Sequence, residues 1–238
     1  GEGTAAQIYA RYHKDWLEWP WQDGAPYNDV DHDGRYDPAV DIPGEKGADQ
    51  SIWFVCNDVV TDRTVGYLRN MKAVGMELQV SMWAYNRQDP LGYMYFTRYL
   101  MINKGQQTLD SAYVTVFCDP DLGYAMDDLI GSDTTRSMVY VYNGNSTDRV
   151  YAPLPPPAFG IDFFQGPVVP GSPSDSALFR NKWVRGKRNL PMTASYVFTA
   201  ATDELFGEVN WSTPTLWMPQ IYNLCKGLTK NGKVIIDP

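Results

Sequence analysis

Asp29, Asp31, Asp33 and Asp37 fall at positions one, three, five and nine of a stretch that reads Y-N-D-V-D-H-D-G-R-Y-D-P-A-V-D over residues 27–41. Gly34 holds position six, where such a loop turns most sharply, and Arg35 at position seven offers a backbone carbonyl. This is the layout of an EF-hand-like loop for Ca2+, a hard cation that takes oxygen ligands from alternate residues. Four carboxylates this close repel one another, so a divalent cation is their natural counter-charge. The usual bidentate Glu at position twelve is absent: Val40 stands there, and Asp41 replaces it only if the loop bulges. The competing use of the stretch is a metal-free acidic turn.

A second acidic segment, D-P-D-L-G-Y-A-M-D-D-L-I-G-S-D, covers residues 119–133. Asp119, Asp121, Asp127, Asp128 and Asp133 have no standard loop spacing; they are either a second cation site at a sheet edge or a solvated acidic loop. Trp16, Trp19 and Trp21 form an indole cluster that can stack on sugars, or can pack as an arm on a sheet. Burial is the commoner use of tryptophan, and the packed arm is the expectation. Arg180, Lys182, Arg185, Lys187 and Arg188 surround Trp183 in the only basic cluster, read as a solvated hairpin or a dock for an anionic partner or polysaccharide.

Catalysis needs a nucleophile with its base, or two carboxylates facing each other across a cleft. His13, beside the tryptophans, and His32, between two candidate ligands, are the only histidines. H-E-x-x-H, G-x-S-x-G, G-x-G-x-x-G and P-loop patterns are all missing, so no catalytic residue is assigned. Cys56, Cys118 and Cys225 are widely spaced, with no C-x-x-C pair, which suggests no zinc site and allows at most one disulfide.

The elements that must position these groups read mainly as strands. Residues 51–57 form a buried strand, and 76–85, 93–103 and 111–119 are three β-rich runs with turn residues between them. Both faces of 93–103 are largely apolar, which predicts a mid-sheet strand covered on each side. Strands at 137–142 and 196–199 follow. A short amphipathic helix is expected within 7–21, stopped by Pro20. A second is expected within 214–228, starting at Pro219 and ending before Gly227. Residues 61–74 read as a loop. Residues 151–173, rich in Pro and Gly but carrying Ile161, Phe163 and Phe164, read as an irregular segment wrapped over the domain.

The fold class that follows is mainly β, an antiparallel β-sandwich with long irregular loops and one or two short helices. It is expected to form one domain over 1–238. Its parts are an acidic-loop arm (1–50), a strand-rich core (51–150), a wrapping segment (151–175), and C-terminal strands with a short helix (176–238). The chain has 238 residues, 44% of them hydrophobic and 14% aromatic, enough for such a core. A net charge of −8 argues against nucleic acid as a partner, and no apolar run is long enough for a membrane span. Opening on Gly1 and ending abruptly in K-V-I-I-D-P, the chain is expected to be a processed piece of something longer.

Several stretches, in order along nearly the whole chain, resemble a family of large secreted proteins exported by the type IX secretion route. They are D-W-L-E-W-P (15–20), G-A-P-Y-N-D-V-D-H-D-G-R-Y-D-P (24–38), G-A-D-Q-S-I-W-F-V-C-N-D (47–58), the segment 119–133, G-I-D-F-F-Q-G-P (160–167) and Y-N-L-C-K-G-L (222–228). The resemblance implies an N-terminal β-rich region of a multi-domain extracellular or cell-surface protein with a C-terminal sorting domain, which this chain does not itself show. It also implies that segment 119–133 recurs as a unit and holds a second cation. It supplies no reaction. The expectation is a calcium-stabilised, non-catalytic structural or adhesion module, whose partners are other copies, other surface proteins or polysaccharide. The alternatives are a carbohydrate-binding module using Trp16, Trp19 and Trp21, a subunit of an extracellular filament, and a secreted hydrolase fragment.

Overall fold

The computed structural model describes residues 3–59, 73–179, 182–198, 207–209, 211 and 213–234. The fold class is mainly β, as expected. Among the described residues there are twelve strands, all paired antiparallel, with long irregular connections and two helices. The chain divides into two compact units, 1–108 and 109–238, where one domain was expected. The division falls just after a strand, inside the stretch read as a continuous strand-rich core. No described helix is long and apolar enough to cross a membrane.

In the first unit, helix α1 (Ala5–Leu17) starts two residues before the expected stretch because Thr4 and Gln7 form a reciprocal capping box. It stops ahead of Pro20, and none of its residues is buried. The two-residue strands β1 (Tyr27–Asn28) and β2 (Ile42–Pro43) pair and close the acidic loop at its base. Strands β3 (Gln50–Asn57), β4 (Met76–Ala84) and β5 (Tyr95–Asn103) form one sheet in that order. β4 is therefore central, with Val80 only 3% exposed, and β5 is an edge rather than the expected mid-sheet strand. β3, expected to be buried, is the other edge and leaves Ile52 and Phe54 exposed.

Alternation assigns the two faces of this sheet. One carries Trp83, Phe96 and Arg98, and the connector from the acidic loop docks there. Glu45 pairs with Arg98, whose guanidinium lies 5.1 Å from the Trp83 ring centroid, and Trp83 stacks on Phe96. The opposite face carries Ile52, Phe54, Tyr95, Tyr99 and Met101, all substantially exposed. The loop expected over 61–74 lies almost wholly outside the described residues.

In the second unit, β6 (Asp128–Asp133), β7 (Met138–Asn143) and β8 (Ala158–Asp162) form a three-stranded sheet. β6 lies within the segment read as an acidic loop, and β8 within the segment read as irregular. β9 (Val168–Pro170) pairs with β12 (Lys187–Asn189), and β10 (Ser176–Phe179) with β11 (Lys182–Arg185). The hairpin expected around Trp183 is thus present. Residues 111–119 and the described part of 196–199 are not strands. Neither finds a ladder partner among the described residues; Phe117 and Phe198 instead meet each other and Trp211 at ring-centroid separations of 6.0 Å. Helix α2 (Pro214–Cys225) starts at Pro214, not Pro219. Pro214 occupies the first turn, where no amide is needed, and Pro219 is accommodated inside. Gly227 follows the helix with φ +75°, as expected of a C-terminal stop. The most buried apolar residues of this unit include Leu122, Val141, Ala177 and Leu224. All three cysteines are free thiols.

Candidate metal centre

The acidic loop is held shut before any ion is considered. Beyond the β1–β2 pair, His32 and Gly34 take left-handed backbone conformations, with φ of +62° and +77°. For a histidine this is an uncommon state; for glycine it is an easy one, and position six needs it. Gly34 N donates to Asp29 Oδ2 at 3.0 Å, Asp33 N to Asp31 Oδ1 at 3.3 Å, and Arg35 N to Asp33 Oδ1 at 2.7 Å. Each aspartate thereby caps a later amide and turns the chain tightly around the carboxylates.

At the far side the Asp37 carbonyl accepts from both Val40 N (3.0 Å) and Asp41 N (2.7 Å), a single helical turn. That turn is the bulge that Asp41 needs in order to replace position twelve. The Asp41 carboxylate is 2% exposed and accepts from Val30 N at 2.9 Å and Asp37 N at 2.8 Å. It bolts the two ends of the loop together. Asp29, Asp31 and Asp41 each present one oxygen, and these lie within 4.8 Å of one another. Calcium binds oxygen at about 2.3–2.6 Å, so oxygens on one ion stand up to about 5 Å apart, and the triad fits that span. Asp29 Oδ1 is buried and has no hydrogen-bond partner, an acceptor left over by the protein's own bonding. Asp33, Asp37 and Arg35 lie outside the triad. The first two spend an oxygen on the Arg35 and Ala39 amides, and Arg35 contributes backbone only.

The field of the loop is felt by two phenols. Burial raises the pKa of Tyr36 to about 12, with Asp41 and Asp37 adding to the rise. Tyr27 is raised by burial first and then by Asp29, Asp41, Asp33 and Asp31. The three tryptophans, expected as an arm packed on a sheet, meet the acidic loop and its flanks instead, and Trp16 stays partly exposed. Trp16 Nε1 donates to the Pro38 carbonyl at 3.0 Å and Trp19 Nε1 to the Pro26 carbonyl at 2.8 Å, while Trp21 meets Tyr27 edge-on. Tyr36 donates its hydroxyl to the Trp16 carbonyl.

No protein-family model, curated protein or solved structure matches this chain.

The second acidic segment does not gather its five aspartates. Asp128 and Asp133 are the two ends of β6, five residues and about 17 Å apart along an extended strand, so they cannot share an ion. Asp133 is occupied by Thr135 and Arg136, which together hold its pKa down at about 2. Asp127 accepts from Asn143 and Asn145, Asp128 from the Leu122 amide, and Asp119 and Asp121 are exposed. The residue that organises this end was not singled out from the sequence. Asp148, 2% exposed, accepts from the amides of Tyr124, Val150 and Tyr151. Burial alone would raise its pKa, but these three amides and Arg149 bring it below the ordinary carboxylate value. Its only signal in the sequence is a turn-forming N-G-N-S-T-D run.

His13 stacks on Tyr9 and lines a shallow groove of about 330 Å³ with Tyr12, Trp16, Leu17 and Pro38. That lining offers one imidazole, with no nucleophile or carboxylate beside it.

Proposed function

We propose that this chain is a calcium-stabilised, non-catalytic module of an extracellular or cell-surface protein, serving structure, adhesion or assembly. The observation that carries this reading is a triad of Asp29, Asp31 and Asp41 whose carboxylate oxygens stand at a spacing one calcium ion spans, with Asp29 Oδ1 buried and unpartnered. Asp29, Asp31 and Asp41 hold the ion, with Asp33 and the Arg35 carbonyl completing its shell. The ion supplies charge neutralisation and cross-links the two sides of the loop. Binding to the folded state alone adds roughly 1–3 kcal/mol where calcium exceeds its dissociation constant by ten- to a hundredfold. Such modules work where calcium is abundant, outside the cell, and the resemblance to proteins of the type IX route supports the same location.

The test is a thermal melt of the protein in millimolar calcium and again in chelator. A melting temperature raised by several degrees with calcium is expected; equal values in both would overturn the reading. A second reading, a subunit of a larger extracellular assembly, is favoured by one observation. The sheet face bearing Phe54, Tyr99 and Met101 is exposed, and the outer edges of β3 and β5 have no strand partner among the described residues. Sedimentation at increasing protein concentration tests it: self-association supports assembly, and a monomer throughout rejects it.

A further inference from the structure

Half of the cations in the second unit sit in one short stretch. Between Asp175 and Asp203 the chain has five basic residues, Arg180 to Arg188, and no carboxylate. In a protein of net charge −8 this is a sharp local reversal of sign. The structure places the described members of this stretch on the β10–β11 hairpin and on β12, which follows it across Gly186. Trp183 is 74% exposed there, and Lys182 and Arg185 are exposed on either side of it. Register and alternation put Trp183 and Arg185 on one face of β11, about 7 Å apart along the strand. The other face turns inward at Ala177, which is wholly buried, and at the half-buried Val184. Asp175, whose carboxylate is held by the Ser172 amide, lies close enough to Arg188 to feel its charge. Lys182, Arg185 and Lys187 enter no ion pair among the described residues.

Cations on an exposed edge strand are an ordinary guard against edge-to-edge pairing. That role has no use for an indole left in water, which loses the favourable burial of one of the largest apolar side chains. A ligand that covers the ring while pairing with the cations accounts for both features. We propose that the outer face of β11 is a docking site for an acidic polysaccharide, with a sugar ring on the Trp183 indole and its carboxylate or sulfate groups on Arg185, while the exposed Lys182 on the opposite face of the strand adds positive charge nearby. A guanidinium pairs bidentately with such groups, and the flat indole suits the C–H face of a pyranose. A nucleic acid is a poorer fit. Strong phosphate-backbone binding draws on about six to ten contacts, more than Lys182, Arg185 and Lys187 supply. The site shares no residue with the calcium loop and does not depend on it.

The test is affinity electrophoresis of the whole chain in gels containing polygalacturonate, dextran sulfate or neutral dextran, with chelator present so that calcium cannot bridge protein and polymer. Retardation by the two acidic polymers and not by dextran is expected. Trp183→Ala and Arg185→Glu should each weaken binding about tenfold. Both side chains are exposed, and circular dichroism checks that the variants stay folded. In the unaltered protein, the Trp183 indole N–H resonance should shift on adding galacturonate oligomers, a reading that needs no variant. The proposal is overturned by absence of retardation, by unchanged binding of both folded variants, or by tighter binding to single-stranded oligonucleotide or to phosphatidylserine vesicles than to the acidic polymers.

Discussion

Removing the Asp41 carboxylate would leave the Val30 and Asp37 amides without their acceptor at a buried position. An unsatisfied buried donor costs about 1–3 kcal/mol, so Asp41→Ala should destabilise the protein by about 2–4 kcal/mol even without calcium. Asp41→Asn keeps one acceptor oxygen and should cost less at rest, yet it should still blunt the calcium-induced rise in melting temperature. Urea unfolding with and without calcium separates the two effects. Tyr36 offers a second readout. Its folded pKa is raised from 10.0 to about 12, so its contribution to stability is intact below pH 10 and is lost as pH climbs to about 12. Tyr36→Phe should flatten the decline in stability over that window, while losing about 1 kcal/mol at neutral pH with the bond to the Trp16 carbonyl. Calcium should pull the Tyr36 pKa down, because it cancels the part of the rise that comes from Asp41 and Asp37. The 1-3-5 spacing and the glycine made this loop legible from sequence. The helical turn at 37–41 that brings Asp41 into place was not, since it depends on a carbonyl accepting two amides rather than on a residue type.

At the scale of elements, acidic residues that looked like ligands turn out to fasten turns. Asp133 closes the β6–β7 turn, and its low pKa means that this fastening is intact above pH 4 and is lost as pH falls towards 2. Asp133→Asn should therefore lessen the acid sensitivity of the protein, measured as denaturation midpoints at pH 5 and pH 3. Asp148→Ala should lower the melting temperature by on the order of 5 °C, because three amides lose one acceptor, and should leave the calcium response untouched. If calcium stabilisation disappeared with Asp148, the metal centre would have been placed in the wrong unit. Strands β4, β5 and β7 were legible because their apolar and β-branched residues alternate between clear turns. Residues 111–119 have the same composition, but a strand exists only with a partner, and composition cannot show a missing ladder. β6 was hidden for the opposite reason: aspartates at both its ends masked the short apolar run between them. The order of β3, β4 and β5 in their sheet was beyond reach too, since facing an edge or the middle is decided by pairing.

For the molecule as a whole, the division into two units separates the calcium loop from the second acidic segment along the chain. If the ion belongs to the loop at 29–41, its stabilisation should be read out locally. Adding calcium should slow amide hydrogen exchange most at Val30, Gly34, Arg35 and Asp41, whose amides already bond within the loop, and next at the β1–β2 pair that closes it. The effect should extend to the Trp16 and Trp19 indoles, because their N–H groups are donated to carbonyls flanking the loop. Amides held by Asp148 and Asp133 should not respond, since these carboxylates are already saturated by protein donors and, in Asp133, by the Arg136 charge. Protection that rose equally in both units would mean that calcium binds at many surface carboxylates, as a net charge of −8 permits. Protection confined to residues 109–238 would transfer the cation to the second segment. Only the first pattern ties the buried orphan oxygen of Asp29 to a bound ion.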